Sequence, residues 1–520
     1  MLVSSFRPVP DVRFEGYCFI GSDYIAQIDG AEAYEQVRGQ IIRPGEDGCY
    51  AVANSTAGGW EIGTDSWGME KLFVYEKAGV WAIATSLHQL AEHLRSHGVT
   101  LEADVPSLRG LAIRHSLTNQ MVSRQTILQD IELVPTYQNL EVGAGGIRRL
   151  PAARRTLGTY EKALAAYIGT WRGRLMTILD DEASLMAADL SGGVDSRVVF
   201  AFMASAGAAA IGSGRFRLVS NQNYSADFEP AQKIAANHGL TLNGPGLPQR
   251  TPRNSVRALR SWRDTSLGLY MPVYMVEREF DPWSFQAHGA GGGNFRSPYA
   301  AGTGPVENLG RFKKYFTAED FKIWRARAEA DLSEFSQVAP AIPPVVMHFR
   351  QFRGRMHFGH RPHRRAMFTP LNASGLDAVY ELAEGKADRQ VYFDVMESLL
   401  PGLMSYPYDT ETKAPNDEIT RSITRVDVDA ADQRGSIFAP PPAENSAPAV
   451  KSPPAMTMWV DEAEEILQRS EVRSFLGPTF VTEAQAGIIE FRTSAKPLRA
   501  NNPSLMALSY THALGFALAN

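Results

Sequence analysis

The hydrophobic positions of this chain follow one period in its first third and another after it. Within residues 1–155, short β-prone runs are broken by Gly, Asp and Asn: "GYCFIG" (16–21), "GCYAVANSTAGGWEIG" (48–63) and "VWAIAT" (80–85). Runs of this kind, bounded by turn residues, predict strands. One helix interrupts them, "SLHQLAEHLRSHG" (86–98), with Ser86 to cap it, Leu87, Leu90 and Leu94 on one face, and Gly98 to end it. The pattern predicts a mainly antiparallel α+β domain. From residue 158 the spacing becomes helical. "GTYEKALAAYIGTWRGRLMTIL" (158–179) carries an apolar stripe and leads into a strand before Ser191. A helix (198–207), a strand (216–221), a helix (227–239) and a strand running into a glycine loop (285–299) follow, and residues 305–400 read as mostly helical. Strands alternating with helices predict a doubly wound parallel α/β domain over residues 156–424. Residues 425–455 are rich in Pro, Ala and Ser without periodicity, which predicts a flexible linker or lid, and 456–520 predict two short closing helices.

A length of 520 residues agrees with two domains or more. Lys and Arg number 52 against 57 Asp and Glu, a net charge of −5, so the overall electrostatics favour neither nucleic acid nor an anionic membrane as partner. No signal-like N-terminus and no apolar run of about 18 residues is visible, which leads to the expectation of a cytoplasmic protein. Cys18 and Cys49 are the only cysteines, too few for a disulfide framework or a structural zinc site.

Candidate chemistry concentrates at "LSGGVDS" (190–196), a switch from strand to helix. Gly192 and Gly193 let backbone approach an anion closely. The N–H groups opening the next helix, aided by its dipole, point at that anion. Ser191 and Ser196 add hydroxyl donors. Asp195 would repel a phosphate unless a divalent cation stood between them, and Mg²⁺ prefers carboxylate and phosphate oxygens. The pattern therefore suggests a metal–nucleotide site with Asp195 as ligand of the Mg²⁺; the family resemblance that follows implies that the nucleotide is ATP.

The string resembles the Ser-Gly-Gly-x-Asp-Ser signature of the PP-loop ATP pyrophosphatases. Other stretches resemble the asparagine synthetase family within that group, in the family's order: "TDSWGMEKLFVY" (64–75), "WAIATSLHQLAEH" (81–93), "TILQDIELVPTYQNLEV" (126–142) and "SADFEPAQKIAANHG" (225–239). The resemblance implies an N-terminal glutaminase-like (Ntn-hydrolase-like) domain and a C-terminal synthetase domain. In the latter, ATP is cleaved to AMP and pyrophosphate while a carboxylate is joined to an amine. Glutamine-hydrolysing members carry Cys directly after the initiator Met, where this chain has Leu2. That departure is similar to the β-lactam synthetase and lasso-peptide cyclase branch, which uses no glutamine. It implies a small-molecule or peptide carboxylate substrate, with a protein partner in a biosynthetic complex.

In the glycine loop, "GAGGGNFRSPY", Gly289, Gly291 and Gly292 align with the family's nucleotide-binding glycines. The family's metal-binding acid falls on Gly293, the next position is Asn294, and Ala290 replaces an acceptor-side residue. Arg296 and Tyr299 remain as anion and ring contacts. Where the family has a catalytic lysine after a Leu-Pro turn, "LLPGLMSYPYDTETKAPNDE" (399–418) has Lys413 displaced by several residues, either a substitute for that lysine or an ordinary surface lysine. Lys413 and Arg296 are thus the candidate catalytic residues. The alternative is a degenerate family member that serves as scaffold or partner, which the missing acids favour. Elsewhere, His357, His360 and His363 are spaced by three, but Gly359 and Pro362 break any helix carrying them, so "MHFGHRPHRR" (356–365) reads as a basic turn in which Arg361, Arg364 and Arg365 could meet an acidic partner. "FKKYF" (312–316) reads as a solvated helix face.

Overall fold

The structure, a computed structural model, describes residues 1–152, 158–208, 214–244, 255–275, 280–294, 309–359, 365–427, 433–442, 454–494 and 498–519. It is a mixed α/β protein. The first third runs β1 (Leu2–Ser4), β2 (Phe14–Ile20), β3 (Asp23–Ala26), α1 (Gln27–Arg38), β4 (Asp47–Thr56), β5 (Gly59–Thr64), β6 (Phe73–Lys77), β7 (Val80–Ala84), α2 (Leu87–Ser96), α3 (Val105–Leu111), β8 (Ile131–Leu133), β9 (Gln138–Gly143) and β10 (Gly146–Pro151). Two antiparallel sheets result, β1-β7-β6-β8 and β10-β9-β5-β4-β2-β3. Alternation decides how they stack. Val3, Val74 and Ile83 of the first sheet meet Ala53, Ile62 and Leu140 of the second in one core. The opposite face of the first sheet, with Phe73 and Ala82, packs on α2. The α2 helix forms as its sequence predicts: Ser86 Oγ accepts from the Gln89 N–H at 3.2 Å, and Leu87, Leu90 and Leu94 are buried.

The second half continues with α4 (Tyr160–Asp180), β11 (Leu185–Asp189), α5 (Val194–Ser205), β12 (Phe216–Val219), α6 (Ser225–Asn237), α7 (Ser255–Ser266), β13 (Asp281–Ala287) and β14 (Arg365–Phe368). These strands form one sheet in the order β12-β11-β13-β14, parallel at every pairing. The order reverses between β11 and β13, and such a reversal opens a crevice at the carboxyl ends of the strands. Strand β14 corrects the mostly helical reading of 305–400; four apolar-alternating residues are too few to separate strand from helix by period alone.

Two further expectations are corrected. In place of two short closing helices there are three: Ala455–Ile466, Ser470–Thr493, which bends at Gly477–Pro478, and Pro503–Ala517. The last is buried along nearly its whole length, which hides it from any amphipathic test. The expected linker at 425–455 is docked where it is described. Ile437–Phe438 form β15, parallel to β3 at the edge of the second N-terminal sheet, and Trp283 Nε1 donates to Pro440 O at 2.7 Å. Its residues 428–432 and 443–453 lie outside the described residues.

A buried ion pair joins the halves. Arg174 of α4 reaches Asp47 of β4 at 2.6 Å and donates through Nε to Gly21 O at 2.7 Å. Asp47 also accepts the Ser374 N–H at 2.8 Å. Arg355, fully buried beneath the other N-terminal sheet, donates to Gly68 O at 2.8 Å and to Val134 O at 2.9 Å.

Candidate functional site

At the end of β11 the chain turns sharply through Ser191, Gly192 and Gly193 into α5. The two serines hold the turn. Ser196 Oγ accepts the Ser191 N–H at 3.0 Å and pairs with Ser191 Oγ at 2.9 Å, while Ser191 Oγ accepts the Gly193 N–H at 3.2 Å. Gly193 occupies the N-cap of α5, and no side chain caps that helix. The N-cap residue thus brings no side-chain acceptor of its own to the first turn, and such a helix start is suited to an anion.

The Gly192 position is set by a second segment. A Cβ there would lie 2.7 Å from Asp409 Cβ, and the Asp409 N–H donates to Gly192 O at 3.2 Å. Arg197 of α5 holds that segment. Its buried guanidinium donates to Tyr406 O at 2.9 Å and to Pro407 O, and stacks 3.6 Å from the Tyr408 ring centroid. This clamp brings Asp409 and Lys413 to the turn. Lys413 Nζ donates to Asp409 Oδ2, while Asp409 Oδ1 is buried without a hydrogen-bond partner among the described residues.

The result is a cleft of about 590 Å³ at the sheet's switch point, lined by Ser191, Gly193, Asp195, Ser196, Asp409 and Lys413. Gly289 and Ala290 border it from the glycine loop. Asp189, at the tip of β11, also lines it. Burial pushes the Asp189 carboxyl up to about 6, against the lowering effect of Gln286, whose amide donates to it at 2.8 Å.

The glycine loop after β13 faces the turn closely. A Cβ on Gly289 would stand 2.8 Å from the Ser196 backbone nitrogen, and one on Gly292 would overlap the Asp195 carboxylate. Gly291 has φ +114° and leaves no room beside Asn372 Oδ1, so only glycine suits it. Tyr392 Oη donates to Gly292 O at 3.1 Å and pins the loop. Gly293 points its open side at Phe349, 3.5 Å away, so the position opposite Asp195 is Gly292. We expect Gly292→Ala to displace the Asp195 carboxylate and weaken Mg²⁺–ATP binding about tenfold, the scale of removing one strong polar interaction. Calorimetric titration would check it, and unchanged affinity would separate the loop from the nucleotide.

Of the sequence-derived residues, Ser191, Gly192, Gly193, Asp195, Ser196, Gly291, Gly292 and Lys413 come together at this turn. Arg296 and Tyr299 lie outside the described residues, as do His360, Arg361, His363 and Arg364. His357 pairs with the Tyr270 hydroxyl, and Arg365 sits in β14 with Nη1 3.3 Å from Gln286 Oε1. Among the described residues, no group of three or more His, Cys, Asp or Glu is placed to hold a metal ion. Sequence reading missed Asp189, Arg197 and Asp409. Asp189 had a positional signal, the last residue of a strand at a glycine turn; Asp409 had none, since it arrives from a distant loop. Among the described residues no helix is long and apolar enough to cross a membrane. No model of a known protein family matches the chain, and no curated protein matches it.

Proposed function

We propose that the chain is an ATP-dependent, AMP-forming ligase that joins a carboxylate to an amine, of the asparagine-synthetase type. In this reading the two antiparallel sheets are a glutaminase-like domain without glutaminase chemistry, and the parallel sheet is the PP-loop synthetase domain. The observation that carries it is the uncapped start of α5, with Asp195 in its first turn, facing both the glycine loop and Lys413.

These residues fit a magnesium–triphosphate. The helix start and the Ser191 and Ser196 hydroxyls suit phosphate oxygens. Asp195 suits Mg²⁺, a cation that commonly takes one or two carboxylates together with substrate phosphates, so a three-residue protein cage is not required. Mg²⁺ would supply charge neutralisation. In the first step a carboxylate oxygen of the substrate bonds to the α-phosphorus and pyrophosphate leaves. Lys413, close enough to the cleft to exchange its Asp409 partner for a phosphate oxygen, stabilises that leaving charge. The amine then bonds to the acyl carbon, AMP leaves, and the amine nitrogen gives up a proton.

The N-terminal side supports the loss of glutaminase chemistry. Leu2 is a core side chain, packed with Phe73 and Ala84, and Cys18 is fully buried with its thiol pushed up by burial. Purified protein should bind Mg²⁺–ATP, release pyrophosphate with some member of a panel of carboxylates and amines, and form no glutamate from glutamine. No nucleotide binding at all would sink the proposal. A second reading has its own observation: Gly292 and Gly293 offer no carboxylate opposite Asp195. Nucleotide binding without pyrophosphate release across the panel would favour that reading, a nucleotide-binding scaffold in a biosynthetic complex.

A further inference from the structure

A second pocket, about 620 Å³ and partly open to solvent, lies between the two halves. A concave space of this size, apolar for the most part and with a few polar groups at one end, has the usual form of a small-molecule site. Its walls come from both halves and include a set of aromatic rings, among them Tyr17 of β2, Trp171 of α4, Phe280 and Phe358. The first two belong to the packed core, and Tyr17 and Phe280 stack at 5.8 Å. It is separate from the cleft at the PP-loop. His288 and Asn372 line the chamber, whereas Gly289 and Ala290 line the cleft, so neighbouring residues of one loop face the two spaces.

One end of the chamber is polar, formed by α7. Arg257 and Arg260 are exposed there, and the Arg260 side chain is 76 % exposed, so this end meets solvent. The acids of the chamber are already engaged. Glu15 holds the Met1 amine at 2.6 Å, Asp47 holds Arg174, and Asp264 accepts from Gln89 Nε2 at 3.0 Å. Arg260 is held only loosely: its i,i+4 ion pair with Asp264 spans 3.9 Å, beyond hydrogen-bond range, and leaves its guanidinium donors open to a ligand. Beside it, Ser261 is 6 % exposed, and its hydroxyl has no hydrogen-bond partner among the described residues. A buried hydroxyl left unpaired is destabilising, and a ligand acceptor removes that cost.

We propose that this chamber is a second ligand site, distinct from the nucleotide cleft, for a hydrophobic carboxylate: an aromatic or branched apolar body packed against the stacked Tyr17–Phe280 pair and Trp171, with its anionic head on Arg260 and Ser261. It goes beyond the ligase reading and holds whether or not the cleft turns over nucleotide.

The chain carries its own reporter. Cys49 lines the chamber and is half-buried, whereas Cys18 is fully buried. N-ethylmaleimide should therefore alkylate Cys49 in the native protein. Dansylglycine, an aromatic carboxylate whose emission brightens in apolar surroundings, serves as probe. We expect it to bind one per chain and, at about nine times its Kd, to slow Cys49 alkylation about tenfold by mass action. Cys49→Trp, which fills the chamber, should abolish binding. Arg260→Ala, at an exposed position that leaves the fold intact, should weaken it about tenfold, as expected when a charge-assisted hydrogen bond is removed. Three results would each overturn the site: a native Cys49 that resists alkylation, a wild-type protein that does not bind dansylglycine, or dansylglycine that binds Arg260→Ala and wild type equally without protecting Cys49. Mg²⁺–ATP titrations on the same samples keep the two proposals apart. Dansylglycine bound without ATP binding leaves the chamber standing and removes the ligase; the converse removes only the chamber.

Discussion

In the proposed ligase reaction, Asp195→Ala will lower pyrophosphate release by about a hundredfold or more, the cost typical of one preorganised electrostatic group removed from a reacting centre. Asp195 opens the first turn of α5, lines the cleft, and stands where a Gly292 side chain would be. Its carboxylate is a cost to a bare triphosphate and an asset to a metal-bound one. The variant should therefore bind ATP more weakly in the presence of Mg²⁺ and no more weakly, or even more tightly, in its absence. That reversal is the diagnostic, because a merely structural aspartate would weaken both. Lys413→Met should behave differently, lowering kcat with little change in KM, since in the proposed reaction the lysine stabilises charge that builds only as pyrophosphate departs. Single-turnover pyrophosphate release and paired calorimetry with and without Mg²⁺ measure both effects. Equal loss of affinity under the two conditions in Asp195→Ala would remove the metal from that carboxylate.

Arg174→Met will destabilise the protein by about 3–5 kcal/mol, the usual cost of breaking a buried ion pair by taking away one partner. The side chains of Arg174 and Asp47 are 1 % and 5 % exposed, so water cannot take over from the missing partner. The guanidinium also stacks 4.7 Å from the Trp171 ring and donates to Gly21 O, interactions that methionine replaces only in part. Most of the loss comes from the Asp47 carboxylate left behind. Adding Asp47→Asn should therefore recover a large share of it, the Asn amide oxygen still accepting the Ser374 N–H. Denaturant midpoints of wild type, both single variants and the double variant close the cycle. Purely additive losses would show that the two residues do not act as a pair.

The elements legible in the sequence are those whose stability is local. The Ser86 cap and the leucine stripe of α2 need only residues 86–98, and the structure has the helix there. The strand, serine–glycine turn and helix at 185–205 are likewise written in contiguous residues, because the turn is closed by its own two serines. Turn-bounded β runs gave the antiparallel character of the first third, and helix–strand alternation gave the parallel sheet of the second.

What the sequence alone could not decide was settled by partners far along the chain. β14 and β15 are strands because β13 and β3 offer them unpaired edges, not because their short runs prefer that conformation. The last helix, apolar all round, shows no amphipathic stripe, since it is covered on every side by other helices. Lys413 looked displaced by its spacing from the Leu-Pro turn, yet the Arg197 clamp on Tyr406 and Pro407 carries its segment under Gly192 and into the cleft. Spacing along a loop measures chain length, whereas a site requires distance in space. The residue opposite Asp195 likewise follows from the loop's path past Asn372 and Tyr392 and not from counting glycines. The chamber between the halves has no sequence signature at all, because its walls are drawn from both halves and meet only when the two pack together.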